Sequence, residues 1–155
     1  MFNKLWQLLV VLALIASCTS TYQGLSKEKI VFQKKHIGNK RSYTLYCPDI
    51  AGKTKTVIQV IGGHGYGFEV RYSDSSMIYF SNDQYLPTPN ADNYQTIEWK
   101  LNWLEYETMD TTVYGRQTDQ RYWKEIIQNK SYLGYVNVHE DDKALFEKAL
   151  LSFKK

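Results

Sequence analysis

From residue 30 onward, apolar and polar residues alternate in short runs separated by turn-forming residues, the period-two signature of half-buried strands. Residues 30–37 and 41–47 flank Gly38-Asn39-Lys40 and predict a hairpin. Residues 56–61, Thr-Val-Ile-Gln-Val-Ile, are β-branched and apolar, as suits a buried strand. In residues 68–72, Phe68, Val70 and Tyr72 share one face, and Ser73-Asp74-Ser75-Ser76 then turns the chain into a returning strand over 77–80. Residues 84–93 hold Pro87, Pro89 and Asn90 and read as a loop. Residues 112–117 and 122–128 flank Thr118-Asp119-Gln120, and 132–138 follow after Asn129-Lys130-Ser131. Strands joined by such short turns must be antiparallel, because a parallel crossover takes a dozen or more residues.

Two stretches depart from this rhythm. At the end of the chain Phe146, Ala149, Leu150 and Phe153 recur at helical spacing over residues 141–154. Asp141 and Asp142 open that segment and Lys154 and Lys155 close it, the charge order that a helix dipole favours. Residues 97–103 fit two patterns. A helix gathers Ile97, Leu101 and Leu104 on one side and Trp99, Trp103 and Tyr106 on the other. A strand puts Ile97, Trp99, Leu101 and Trp103 on a single face, which is easier to bury, so the strand is the better reading. The expected fold is α+β: a single antiparallel sheet of about six or seven strands with a C-terminal helix packed on one face.

The start of the chain carries a different signal. Lys4 precedes an apolar run over residues 5–15, and small residues lead to Cys18 in Leu14-Ile15-Ala16-Ser17-Cys18. A charged start, an apolar segment and small residues at a cut describe an export signal. The run is also too short for a spanning helix, which takes roughly 20 residues. Small residues followed by Cys resemble the lipobox of bacterial lipoproteins. That resemblance implies that residues 1–17 are a signal peptide and that Cys18 becomes the lipidated first residue. Residues 18–29 are polar and patternless and read as a tether, with one domain over 30–155. The segments Trp123-Lys124-Glu125-Ile126 and Gly134-Tyr135-Val136-Asn137-Val138, with the Phe-containing helix, resemble small lipoproteins of Bacteroidota-type bacteria over about the final third of the chain. This second resemblance implies a source and no activity. Thr19 is not the Asp that resembles an inner-membrane retention signal, and no acidic run follows Cys18. The expected location is therefore the outer membrane, facing the periplasm, with the membrane itself as a partner through the N-terminal lipid.

Charge adds little to this picture. The chain carries +3, falling to +2 once Lys4 leaves with the signal, too weak a surplus to argue for nucleic acid. Lys27, Lys29, Lys34, Lys35, Lys40 and Arg41 bias the early domain toward basic, which suits solvated strand faces or attraction to anionic lipid or polysaccharide. With Cys18 lipidated, Cys47 has no intramolecular partner and reads as a small buried hydrophobe in a strand.

Candidate chemistry is sparse. In Gly62-Gly63-His64-Gly65-Tyr66-Gly67 four glycines allow close approach of a ligand to the backbone, with His64 and Tyr66 as exposed contacts. A phosphate-binding loop would lead into a helix, whereas a strand follows here, so a wide turn is the plainer reading. His36, His64 and His139 have no partner at ligand spacing, and no calcium loop is present, so no metal or other cofactor is expected. Glu105 and Glu107 on one strand face would stand about 7 Å apart, compatible with a glycosidase pair. Trp99, Trp103 and Tyr106, with Tyr94 and Trp123, form a candidate aromatic platform for sugar rings or a protein partner, although a core role is the stronger reading. No catalytic constellation emerges. The leading expectation is a non-enzymatic binding or accessory protein of the envelope, taking a protein or glycan partner. An inhibitor or immunity-type lipoprotein is the alternative, and a carbohydrate-active enzyme using Glu105 and Glu107 a third.

Overall fold

The computed structural model describes residues 22–33, 39–62, 65–82, 89 and 110–155. Among these the chain forms β1 (Leu25–Phe32), β2 (Arg41–Pro48), β3 (Lys55–Ile61), β4 (Tyr66–Tyr72), β5 (Met77–Ser81), β6 (Thr111–Arg116), β7 (Tyr122–Gln128), β8 (Ser131–Val138) and α1 (Glu140–Leu151). The fold is α+β, as expected, and every strand pair is antiparallel. The single sheet expected from the pattern is instead two: six strands in the order β3-β4-β5-β8-β7-β6, and a separate β1–β2 pair. The reason lies in the alternation of the first hairpin. Ile30, Phe32, Tyr43, Leu45 and Cys47 give it one wholly apolar face, which is best buried by stacking on the large sheet rather than by extending its edge.

That stacking builds the main core. Phe32 meets Tyr66 at 4.8 Å and Tyr43 meets Phe80 at 5.0 Å between ring centroids, and the Tyr72 hydroxyl donates to the Pro48 carbonyl at 2.9 Å. Helix α1 completes the layer beside the hairpin. Its Phe146 is fully buried between Tyr72 and Tyr135, 5.3 and 5.8 Å from their rings. Burial of a side chain of this kind is worth about 1.5–3 kcal/mol. After the helix, Lys154 exchanges backbone hydrogen bonds with Thr44 of β2 at 2.9 Å, and the Ser152 hydroxyl accepts from the Tyr46 amide at 2.8 Å. The helix begins with Glu140, Asp141 and Asp142 and has Lys148 in its last turn, so Lys154 acts as a strand-like clasp rather than a dipole cation. The opposite face of the sheet carries a second cluster of Val113, Trp123, Ile127, Tyr132 and Val136.

Three further expectations are revised. β1 starts at Leu25, not at residue 30, and Tyr22 stacks on Tyr46 at 3.9 Å, so residues 22–29 belong to the folded unit and not to a tether. Gly24, at φ 77°, makes the turn that feeds β1, a conformation glycine adopts without strain. Register pairs Phe32 with Arg41, so the first hairpin has a longer connection than Gly38-Asn39-Lys40 alone. Finally, β3 is not a buried strand. It is an edge, and Val57, Val60 and Ile61 are 38%, 36% and 43% exposed. Composition alone cannot tell a β-branched core strand from an apolar edge, since both read as continuous Val/Ile runs. The stretch 97–103 lies outside the described residues.

Candidate functional site

Among the described residues the layer over the sheet is incomplete, and the gap forms the site. The hairpin covers β4 and β5, and α1 covers β8, but the same face of β6 and β7 is left as the floor of an open groove of about 530 Å³. Register places Tyr114 beside Lys124 and Arg116 beside Tyr122 on this floor. Lys143 and Glu147, one helical turn apart on α1, form the wall. Tyr114 stands 71% exposed at the rim. The neighbouring Gly115 faces the other way, where an added Cβ would sit 2.8 Å from the Trp123 indole nitrogen, so the ring packs flat beneath the strand only because no side chain is there.

The polar groups of the groove are joined into two clusters. In the first, the Arg116 guanidinium pairs with Glu140 at 2.6 Å, and the Tyr122 hydroxyl donates to the same carboxylate at 2.7 Å while also accepting from Arg116. Arg116 and the Lys143 ammonium both approach the Tyr122 ring, at 4.6 and 4.2 Å from its centroid. The bond to Glu140 raises the Tyr122 pKa and lowers that of Glu140. In the second, Glu147 accepts from Lys124 at 2.5 Å and from the Tyr135 hydroxyl at 2.8 Å. Burial, and then that bond to Glu147, pushes the Tyr135 hydroxyl well above its ordinary pKa. Among the described residues three cations thus share two carboxylates. Lys143 has no carboxylate within ion-pair distance among the described residues, so the groove keeps a cationic surplus beside an exposed aromatic ring.

The sequence-derived candidates fall elsewhere. Tyr66, expected as an exposed contact of the glycine-rich loop, is 7% exposed, and its hydroxyl shares a 2.6 Å hydrogen bond with Tyr43. Its strand position puts the ring on the core face, opposite Ile61 in register. His64, Trp99, Trp103 and Tyr106 lie outside the described residues, as do Cys18, Tyr94, Glu105 and Glu107. Trp123 is 2% exposed and belongs to the second core cluster. Cys47 is fully buried, as read from its strand, and burial, followed by the charge of Glu28, pushes its thiol up to about 12, which keeps it protonated and unreactive. Among the described residues no three His, Cys, Asp or Glu side chains converge as metal ligands, and no helix is long and apolar enough to cross a membrane.

The groove residues Tyr114, Arg116, Tyr122, Lys124, Lys143 and Glu147 were not singled out by sequence reasoning. The alternation of residues 112–117 does put Thr112, Tyr114 and Arg116 on one face, but only the tertiary arrangement shows that this face is the uncovered one. No family model, curated protein or solved structure matches the chain.

Proposed function

We propose that this is an envelope lipoprotein, lipidated at Cys18, that binds a glycan in the groove between α1 and the β6–β7 end of the sheet without turning it over. The observation that carries this reading is the pairing of a 71%-exposed Tyr114 ring with Lys143, a cation left over after Arg116 and Lys124 take the two carboxylates. An exposed ring offers a stacking face to a sugar, and a spare ammonium selects a sugar that bears a negative group, such as a uronic acid. Both groove carboxylates are tied to cations and tyrosine hydroxyls, an arrangement suited to holding a ligand in a fixed pose rather than to passing protons. The lipid on Cys18 would keep the groove close to envelope polysaccharide.

The test is a glycan array probed with the exported Cys18→Ser protein, comparing acidic sugars with their neutral counterparts. Binding confined to the acidic set, weakened about tenfold (about 1.4 kcal/mol) by Lys143→Ala or Tyr114→Ala, supports the reading. No binding, equal binding of neutral sugars, or release of shortened products overturns it, and the last outcome would revive the carbohydrate-active alternative built on Glu105 and Glu107.

A further inference from the structure

The groove leaves unexplained the other end of the sheet. β3 is seven residues long, and after Lys55 it carries no charge: Thr56-Val57-Ile58-Gln59-Val60-Ile61. Its one lysine is drawn back over the sheet to Ser26 and to Glu28, the latter at 3.3 Å. Edge strands in folded proteins are commonly protected by charge, proline or a bulge, because an open edge invites pairing with another chain. β3 has none of these over residues 56–61, and its pairing with β4 runs without a register shift.

The hydrogen-bond phase of this edge follows from two bonds at its ends. Ser73 donates to Thr54 at 3.0 Å, and Gly62 donates to Gly65 at 2.9 Å. In an antiparallel ladder hydrogen-bonded and non-bonded pairs alternate. Residues 54, 56, 58, 60 and 62 therefore direct their backbone groups to β4. Lys55, Val57, Gln59 and Ile61 direct theirs outward, and among the described residues no other strand receives them.

We propose that β3 is a docking edge for a second copy of this chain, paired antiparallel about a twofold axis through Ile58, so that the two six-stranded sheets become one. This axis is in phase with the free edge. It sets Val57 opposite Gln59 of the second copy and Lys55 opposite Ile61, which matches outward groups to outward groups and forms about eight interchain hydrogen bonds. On one face of the joined sheet each Val57 gains the Gln59 stem and each Ile61 gains the Lys55 stem. On the other face Ile58 meets Ile58, and Val60 meets Thr56. The two Lys55 residues fall at opposite ends, roughly 20 Å apart at about 3.4 Å per residue, beyond the screening length of about 8 Å in physiological salt. The strand is thus complementary to itself in backbone phase, in apolar contact and in charge. A copy offering β6 instead would bring Arg116 to the seam.

The register makes a covalent test. Ile58 faces its own symmetry mate in a non-hydrogen-bonded pair, where Cα atoms lie about 4.5 Å apart, within disulfide range. Thr56 stands about 14 Å from its mate. In cells expressing the full chain, Ile58→Cys under mild oxidation is expected to run at twice the monomer mass on a non-reducing gel, and Thr56→Cys at the monomer mass. Adding V57K/Q59K to Ile58→Cys sets lysine against lysine at two places and should reduce the dimer band at least tenfold. V57K/Q59E sets lysine against glutamate at the same two places and should restore it. Circular dichroism of both double variants confirms that they fold. The proposal is overturned by a monomeric Ile58→Cys chain, by equal dimer from Thr56→Cys, by a disulfide to a protein of different mass, or by identical behaviour of the two double variants.

Discussion

The two ends of the six-stranded sheet are built from opposite materials. At the β3 end, Val57, Val60 and Ile61 meet solvent and no side chain after Lys55 is charged. At the β6 end, Gln117 donates to Arg121 at 2.7 Å, and this fixes the outward positions of β6 as Thr112, Tyr114 and Arg116. There the edge is polar and charged, and Arg116 is held by Glu140 of the helix. An edge carrying Arg discourages a second strand and leaves its side chains free to meet a small polar ligand. An apolar, uncharged edge does the reverse. One sheet therefore presents two separate surfaces, with glycan binding proposed at one edge of the six strands and self-association at the other.

The comparison is sharpest when both ends are made to fail together. Phe146 joins the hairpin side to the groove side, wedged between Tyr72 and Tyr135. Phe146→Ala should cost about 3–5 kcal/mol and abolish both glycan binding and the Ile58→Cys dimer, as read by thermal unfolding and the two binding assays. Retention of the groove with loss of the dimer would show that the two ends unfold separately.

A matched pair of glycine substitutions separates the ends. Gly67 lies next to the β3 edge, and an added Cβ would be driven into the Phe80 carbonyl, with Ser81 Cα 3.3 Å away, so backbone must move. Gly115 lies at the β6 edge, where the added Cβ meets the Trp123 ring at 2.8–2.9 Å, a side chain that can turn. Gly67→Ala is expected to cost about 2–3 kcal/mol and Gly115→Ala about 1 kcal/mol, compared by urea unfolding. An equal or reversed order would mean that the β6 end is the more rigid of the two.

Acid should loosen the tie at the start of β3. Lys53, just before β3, is held by Asp74 at 2.7 Å and by Asp142 of the helix at 2.5 Å, with His139 4.0 Å from Asp74. Burial works to raise the Asp74 pKa, but the hydrogen bonds from Lys53 and Ser76 and the charge of Lys53 outweigh it and hold the carboxyl down to about 2. A depressed folded pKa means that the unfolded chain binds the proton first. The stability from this group is present above the ordinary value of 3.8 and is lost as pH falls toward 2. Unfolding free energy should therefore drop between pH 4 and pH 2, and Asp74→Asn should flatten part of that drop while lowering stability at pH 7. An unchanged slope in the variant would remove Asp74 as the acid-sensitive tie.

Much of the fold was legible because it is written in local periods. The alternation of Phe68, Val70 and Tyr72 and the helical spacing of Phe146, Ala149 and Leu150 each mark a buried face, and the structure buries all of them. What could not be read is which strand ends up outermost. Residues 56–61 have the composition of a core strand, and only the strand order makes them an edge. The site was hidden for a related reason. Lys143 and Glu147 look like ordinary solvated helix positions, and Arg116 and Lys124 like ordinary strand charges, until the helix is laid beside β7 and the four converge. Tyr66 erred in the other direction, since a glycine-rich neighbourhood suggested exposure while its place in β4 sent the ring into the core.

The smallest expected effect on stability is also the cleanest probe of the β6 end. Tyr114 buries little of its ring, so Tyr114→Ala should shift unfolding by less than about 0.5 kcal/mol. Its side chain stands at the rim of the groove, far from β3 in the strand order. The Ile58→Cys dimer should therefore form as in the parent chain, while affinity for an acidic glycan falls about tenfold. Because the variant leaves fold and edge untouched, lost binding assigns the ring to ligand contact and not to support of the groove. Unaltered affinity with a normal melting curve would move the ligand away from β6, and the contrast between the two ends would then rest on the dimer alone.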